Sequence, residues 1–158
     1  MPNLPARPFR HRLPSLATLL LAWLAFGCGD ASGVGKTFPV VGRITINQEP
    51  LTAKSTVVLF KPDASKGNTS TFEPIGSVDE NGDYTLLTIG KKGAPPGWYK
   101  VVVTATESSP VHPNSPQGHR PVAQSLVPAK YGQEKTSDLS IEVVENPLPG
   151  AYDLKLTK

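Results

Sequence analysis

The fold of this chain is decided by the stretch GSVDENGDYTL, Gly76–Leu86. Asn81 and Gly82 lie between two short runs whose side chains can alternate in and out of a sheet. Both residue types tolerate positive φ, which a two-residue type I′ turn requires at both central positions. The stretch therefore predicts a β-hairpin, with Val78 and Tyr84 on strands that fold back on each other.

The other strands follow from the same reasoning along the chain. Trp98–Thr106 is rich in β-branched and aromatic residues and has apolar side chains on both faces, which predicts a central strand. Alternation or a short apolar run predicts the remaining six strands: Val40–Ile46, Val57–Phe60, Thr71–Val78, Asp83–Leu87, Asp138–Val144 and Tyr152–Thr157. Seven short strands in a chain with 17 Pro and 14 Gly predict an all-β fold, a seven-stranded antiparallel Greek-key β-sandwich.

The first 27 residues have the pattern of a cleaved, helical signal peptide. A basic start is followed by an apolar core centred on Leu19–Leu24, and Cys28 follows shortly after that core. Cys28 is the single cysteine of the chain, so it cannot form an intramolecular disulfide. This position resembles that of the lipid-modified cysteine in bacterial lipoprotein signals. We therefore expect a chain that is exported and held at the membrane by an N-terminal lipid on Cys28. The alternatives are an ordinary cleaved signal with a chance cysteine and an uncleaved anchor.

The net positive charge of the chain comes from basic residues in this leader. The net charge is +3, but Arg7, Arg10 and Arg12 lie in the leader, and without them 13 basic residues face 13 acidic ones. A neutral mature chain gives no electrostatic reason to expect a nucleic-acid partner.

The chain is predicted to consist of three segments. Residues 1–27 are the signal peptide, residues 28–37 are a Gly-rich flexible tether, and residues 38–158 are the β-sandwich domain. Within the domain, residues 107–136 carry five prolines and little periodicity, which predicts a long loop.

Several motifs together resemble the carboxypeptidase-regulatory-like family, a transthyretin-like β-sandwich related in architecture to immunoglobulin-like domains. The family pattern V-x-G matches Val40–Gly42, D-x-x-G-x-Y-x-L resembles Asp79–Leu86, and G-x-Y-x-V-x-V resembles Gly97–Val103. The region Pro128–Val143 resembles the end of small planctomycete-type lipoproteins with this fold. The resemblance implies a fold and a surface location. It carries no catalytic residues.

The hairpin turn is also a candidate metal site. Asp79, Asn81 and Asp83 alternate as the oxygen ligands of a calcium loop do, but the glycine and glutamate spacing of an EF-hand is missing. A solvated hairpin turn is the favoured interpretation. His112 and His119 lie in the Pro-rich loop without neighbouring carboxylates or cysteines, so a zinc site is not expected there.

Two further interpretations compete with simpler structural ones. Trp98 and Tyr99 are candidates for a sugar-stacking platform, although aromatic residues in a Val-rich strand favour the core. A crosslink from Lys36 or Lys54 to Asn146 would require a buried lysine, whereas lysines on strands are usually solvated.

The sequence thus predicts a non-enzymatic structural or interaction module without a cofactor, at the cell envelope and facing the periplasm or cell exterior. Its expected partners are the membrane, through the lipid, and an envelope protein or a glycan. The alternative is a carbohydrate- or calcium-dependent ligand-binding domain.

Overall fold

The computed structural model describes residues 32–52, 55–108 and 123–158, and these residues form an all-β sandwich. Its strands, in chain order, are β1 Val41–Ile46, β2 Glu49–Pro50, β3 Ser55–Pro62, β4 Ile75–Ser77, β5 Asp83–Thr85, β6 Leu87–Thr88, β7 Lys91–Lys92, β8 Gly97–Ser108, β9 Ala123–Ser125, β10 Ser140–Val143 and β11 Leu154–Leu156. Short 3₁₀ helices occupy Ala64–Lys66 and Ala129–Gly132. Among the described residues, no helix has the length and apolar character needed to cross a membrane.

The strands form two sheets that enclose one core. The larger sheet has the order β10-β8-β3-β4-β6-β7, with β9 paired to the last residues of β8. In the smaller sheet β1 pairs with β11, β2 and β5. The predicted central position of β8 is confirmed, because β8 lies between β3 and β10. All seven predicted strands are present, and β2, β6, β7 and β9 are additional short pieces.

The prediction of a purely antiparallel sandwich was wrong at one pair. β1 and β11 run parallel, with Ile44 opposite Leu154, whereas every other pair of the described strands is antiparallel. The chain passes from β10 in the larger sheet to β11 in the smaller one, so these consecutive strands are not a hairpin. The last strand therefore pairs with the first, which is far away in sequence.

The core is built from the inward side chains of both sheets. Tyr99, Val101, Val103 and Ala105 alternate along β8 and are all buried. The ring centroid of Phe60 lies 5.7 Å from that of Tyr99, in a tilted arrangement. Every residue of this core lies between positions 40 and 156, and residues Ser32–Lys158 form one compact unit. This unit therefore carries a complete core of its own.

Buried tyrosine hydroxyls have hydrogen-bond partners in this core. Tyr84 donates to the carbonyl oxygen of Tyr152 at 2.6 Å, and Tyr99 donates to that of Pro95 at 2.9 Å. Gly42 makes room for the first of these contacts, because a Cβ at this position would overlap the Tyr152 carbonyl oxygen. Burial raises the pKa of Tyr84 far above its ordinary value, so this hydroxyl stays protonated as a donor.

The predicted hairpin around Asn81 and Gly82 is present, but its turn differs from the prediction. Val78 pairs with Tyr84, and Ile75 pairs with Leu87 in the same register. Gly82 has φ +81°, whereas Asn81 is not among the residues with positive φ, so the predicted type I′ turn was wrong here. The loop is longer than two residues: the amide of Gly82 bonds the Asp79 carbonyl, and glycine takes the left-handed position.

Type I′ geometry instead occurs at two other hairpins. Asn47 and Gln48 between β1 and β2, and Ile89 and Gly90 between β6 and β7, all have positive φ. The region around Ile89 therefore contains a tight two-residue hairpin.

Strand directions define two ends of the sandwich. We call the end at which β1 and β11 begin, and at which β6 and β10 end, the proximal end. This end accordingly carries residues 32–40, the Ile89–Gly90 turn and the loop Val144–Asp153. At the distal end lie the Asp79–Gly82 turn and the C-terminus.

The domain begins earlier than the predicted boundary at residue 38. Val34 is buried, and the Thr37 hydroxyl donates to the Lys92 carbonyl at 3.0 Å. The ammonium of Lys36 lies 2.8 Å from a carboxylate oxygen of Glu145. The last part of the predicted tether is therefore part of the domain. The predicted loop at 107–136 also contains more structure than expected, since β8 extends to Ser108 and β9 pairs with it.

Candidate binding surface

The residues proposed as calcium ligands serve the hairpin turn itself. The Oδ1 atom of Asp79 accepts hydrogen bonds from the amides of Asn81 at 2.8 Å and Asp83 at 2.9 Å. This side chain thus closes the turn as an Asx motif does. This is the arrangement of a hairpin turn rather than of an ion site, because the Asp79 carboxylate accepts hydrogen bonds from backbone amides.

The carboxylate of Asp83 has a different partner, Arg43 on the neighbouring strand β1. The guanidinium donates from Nε at 2.7 Å and from Nη2 at 3.0 Å, a two-point pairing. The hydrogen bond and positive charge of Arg43 hold the pKa of Asp83 below its ordinary value, and Asp83 raises the pKa of Arg43 in return. Within residues 32–52, 55–108 and 123–158, no three His, Cys, Asp or Glu side chains converge on one point.

The two aromatic residues proposed as a platform lie on opposite faces of β8. Tyr99 is fully buried against Phe60, whereas Trp98 is half-buried on the outer face. The Lys66 ammonium lies 3.8 Å from the centroid of the Trp98 ring, in a cation–π contact. The two rings therefore do not share a surface on which a sugar could stack.

The crosslink candidate Lys36 also has another contact. It pairs with Glu145, keeps 66% of its side chain exposed, and is therefore not desolvated as a crosslinking lysine must be. Cys28, Lys54, His112 and His119 lie outside the described residues.

One buried carboxylate was not anticipated from the sequence. Asp63 caps the 3₁₀ helix Ala64–Lys66 by accepting bonds from the Ser65 amide and hydroxyl. These hydrogen bonds lower the pKa of Asp63 against the opposing effect of burial. Its other oxygen is buried and has no hydrogen-bond partner within the described part of the chain. An Asp between the end of a strand and a polar turn is a capping signal that sequence reasoning could have used.

The most distinctive surface is an apolar groove on the outer face of the larger sheet. Leu59, Ile75 and Leu87 lie directly opposite one another on β3, β4 and β6, so they form one row across three strands. Ile75 is 49% and Leu87 is 41% exposed. Outward faces of antiparallel sheets are normally polar, so such a row requires an explanation.

The groove continues toward the smaller sheet. It has a volume of about 420 Å³, and its wall includes Val57 from β3 and Val41 from β1, the latter 60% exposed. Asp79 and Asp83 line its distal edge. Sequence reasoning missed it because Val57 and Leu59 lie in a continuous apolar run, from which the outward residues cannot be distinguished by periodicity.

No protein-family model matches this chain, and no curated protein or solved structure is significantly similar to it.

Proposed function

We propose that this chain is an exported, lipid-anchored β-sandwich that acts as a non-catalytic interaction module at the cell envelope. The sequence pattern that ends in Cys28 supports export and anchorage. The apolar groove supports interaction. The carboxylates considered as calcium ligands, Asp79 and Asp83, are engaged in contacts that stabilise the fold.

The observation that carries the proposal is the exposed row of Ile75 and Leu87 beside Val41. A sheet that only had to fold would carry polar residues at these outward positions, because they contribute nothing to the enclosed core. An apolar surface of this kind is typical of a site that binds another macromolecule.

The chemistry of the groove fits a segment of protein better than a glycan. Sugars bind through aromatic stacking and many polar contacts, whereas four aliphatic side chains line this groove, with carboxylates at one edge. A partner segment with apolar side chains and a basic residue placed near Asp79 would match it. The partner is therefore expected to be an envelope protein.

Site-specific photocrosslinking in cells tests the interaction. A photoreactive residue at Ile75 should give a discrete adduct with another envelope protein. The same residue at Glu142, which is exposed on β10 of the same sheet, serves as the matched control. Adding Leu87→Asp should abolish the adduct at position 75. Equal adducts at both positions, or an adduct unaffected by Leu87→Asp, would contradict this role of the groove.

The anchor is tested separately, by inhibiting lipoprotein signal peptidase and by mass spectrometry of the mature N-terminus. Acyl mass on Cys28 and precursor accumulation under the inhibitor are the expected results. A Cys28→Ser chain that is processed normally and remains in the membrane would overturn lipid anchorage.

A further inference from the structure

The turn at the tip of the β6–β7 hairpin is unfavourable in two respects. Ile89 has φ +47°, in the left-handed region that β-branched residues avoid. Its side chain is also 65% exposed, so burial gives little compensation. The other described non-glycine residues with positive φ are Asn47 and Gln48, neither of which is β-branched.

The surrounding residues hold this tip in place. Thr88 is buried, and its hydroxyl donates to the Gly93 carbonyl at 2.7 Å. The amide of Gly93 donates to the Leu86 carbonyl at 2.7 Å, and a Cβ on Gly93 would overlap the Phe38 carbonyl oxygen. A strained residue that the neighbouring structure over-determines is a frequent sign of a functional position.

A second exposed apolar tip lies at the same end of the sandwich. Leu148, in the loop between β10 and β11, is 80% exposed, and with Ile89 it has the highest exposure among the large apolar side chains described. Both hairpin and loop contact the chain where it approaches β1. The Lys91 ammonium donates to the Gly35 carbonyl, and Glu145 pairs with Lys36.

The β6–β7 hairpin is basic, whereas the loop that carries Leu148 also contains the acidic residues Glu145 and Asp153. Lys91 and Lys92 follow the turn directly, and Lys92 is exposed. No acidic residue occurs from position 84 to position 106. An apolar tip followed directly by two lysines, with a second apolar tip at the same end, is a composition expected of a surface that inserts into an anionic lipid interface.

We propose that the proximal end of the sandwich docks on an anionic lipid surface, with Ile89 and Leu148 in the interface and Lys91 and Lys92 at the headgroups. This inference rests on the proposed lipid anchor for its geometry. The chain from Cys28 to Gly35 spans at most about 25 Å even when fully extended. A lipid on Cys28 therefore keeps the proximal end near the membrane at high effective concentration, where weak contacts suffice.

The docking also gives the groove a defined orientation. The strand that runs from the Asp79–Gly82 turn to Ile89 would stand with its proximal end on the membrane. The carboxylates at the distal edge of the groove then point away from the anionic surface, toward a partner in the envelope.

The test uses residues 32–158, which carry their own core and contain no cysteine. An N-terminal histidine tag attaches this domain to vesicles through a nickel-chelating lipid, so the experiment does not depend on Cys28. An environment-sensitive dye is placed at Ile89→Cys or at Leu148→Cys. The control is Asn81→Cys, an exposed position at the distal end of the same β5–β6 strand.

On vesicles of phosphatidylglycerol and phosphatidylethanolamine, the dye at positions 89 and 148 should shift to shorter emission wavelength and be quenched by brominated lipids. The dye at position 81 should do neither. Lys92→Glu, or vesicles of phosphatidylcholine alone, should reduce the shift at position 89. Equal responses at 81 and 89, or none at 89, would overturn the docking without bearing on lipidation at Cys28.

A folding control accompanies each variant. Ile89→Asn changes an exposed tip, so the domain should keep its circular dichroism spectrum while its untethered binding to the same anionic vesicles falls roughly tenfold. Unchanged binding of the folded Ile89→Asn domain would contradict the proposal.

Discussion

The two turns at opposite ends of the segment Asp83–Thr88, which contains β5 and β6, are built in contrasting ways. At the distal turn, Asp79 satisfies two backbone amides and Gly82 occupies the left-handed position. At the proximal turn, Ile89 takes positive φ and exposes an apolar side chain. Asparagine or aspartate would suit that position better, because both tolerate the left-handed region.

The residues of the distal turn are explained by their contribution to folding, whereas those of the proximal turn are not. Asp79, Gly82 and Asp83 each stabilise the distal hairpin, so an ion site is unnecessary to account for them. At the proximal turn, the positive φ of Ile89 is unfavourable and its exposed side chain gains little from burial. The residues of this turn are therefore better explained by a contact outside the domain, which is the reasoning behind the lipid-docking proposal.

The largest expected difference between the turns concerns their glycines. Gly82→Ala would place a Cβ 2.9 Å from the Ile44 carbonyl oxygen at positive φ, whereas Gly90→Ala has no atom within 4 Å of its Cβ. We expect Gly82→Ala to lower the free energy of unfolding by about 3 kcal/mol or more, and Gly90→Ala by about 1–2 kcal/mol. Denaturant unfolding of residues 32–158 measures both. Equal losses would remove the structural distinction between the turns.

A smaller effect is expected from the capping side chain. Asp79→Ala leaves the amides of Asn81 and Asp83 without their acceptor, and water replaces it in part because the turn is exposed. The expected loss is about 1 kcal/mol in the free energy of unfolding. Glu80→Ala, at the exposed position between these residues, is the control and should change stability little. A loss from Glu80→Ala as large as that from Asp79→Ala would contradict the capping role.

The distal hairpin should also respond to acid. Arg43 lowers the pKa of Asp83 in the folded state, so folding favours the ionised carboxylate. This contribution is present above the unfolded-state pKa, near 4, and is lost as the pH falls through the folded-state value. Thermal unfolding between about pH 5 and pH 2 should show a shallower loss of stability in Asp83→Asn than in the natural chain. An identical or steeper pH dependence in the variant would exclude this contribution.

Much of the fold could be predicted because it follows from local patterns. The apolar side chains on both faces of β8 identified it as a central strand, and the pairing of Val78 with Tyr84 followed from the turn between them. The parallel pairing of β1 with β11 could not be predicted in this way, because it depends on how distant strands meet. The turn type at Asn81–Gly82 was predicted wrongly for a similar reason. This dipeptide permits type I′ geometry, but the Asp79 cap stabilises a longer loop.

The candidate surfaces were less accessible to sequence reasoning. The apolar row of Leu59, Ile75 and Leu87 requires the register of three strands, which no single window of sequence contains. The strain at Ile89 was hidden because an Ile-Gly dipeptide is a poor signal for a type I′ turn. The predicted role of Cys28, by contrast, depends on the sequence pattern of the leader and not on the fold.

The most direct test of the contrast between the turns is the stability of Ile89→Asn in residues 32–158 without lipid. Asparagine tolerates positive φ and does not expose an aliphatic side chain, so we expect the free energy of unfolding to rise by about 1 kcal/mol. Denaturant unfolding at neutral pH measures it, with Asn47→Ile, which introduces the same residue type at the β1–β2 turn, as the inverse control that should lose stability. A decrease for Ile89→Asn would show that Ile89 stabilises the domain, and would contradict the claim that this turn is shaped for a contact outside it.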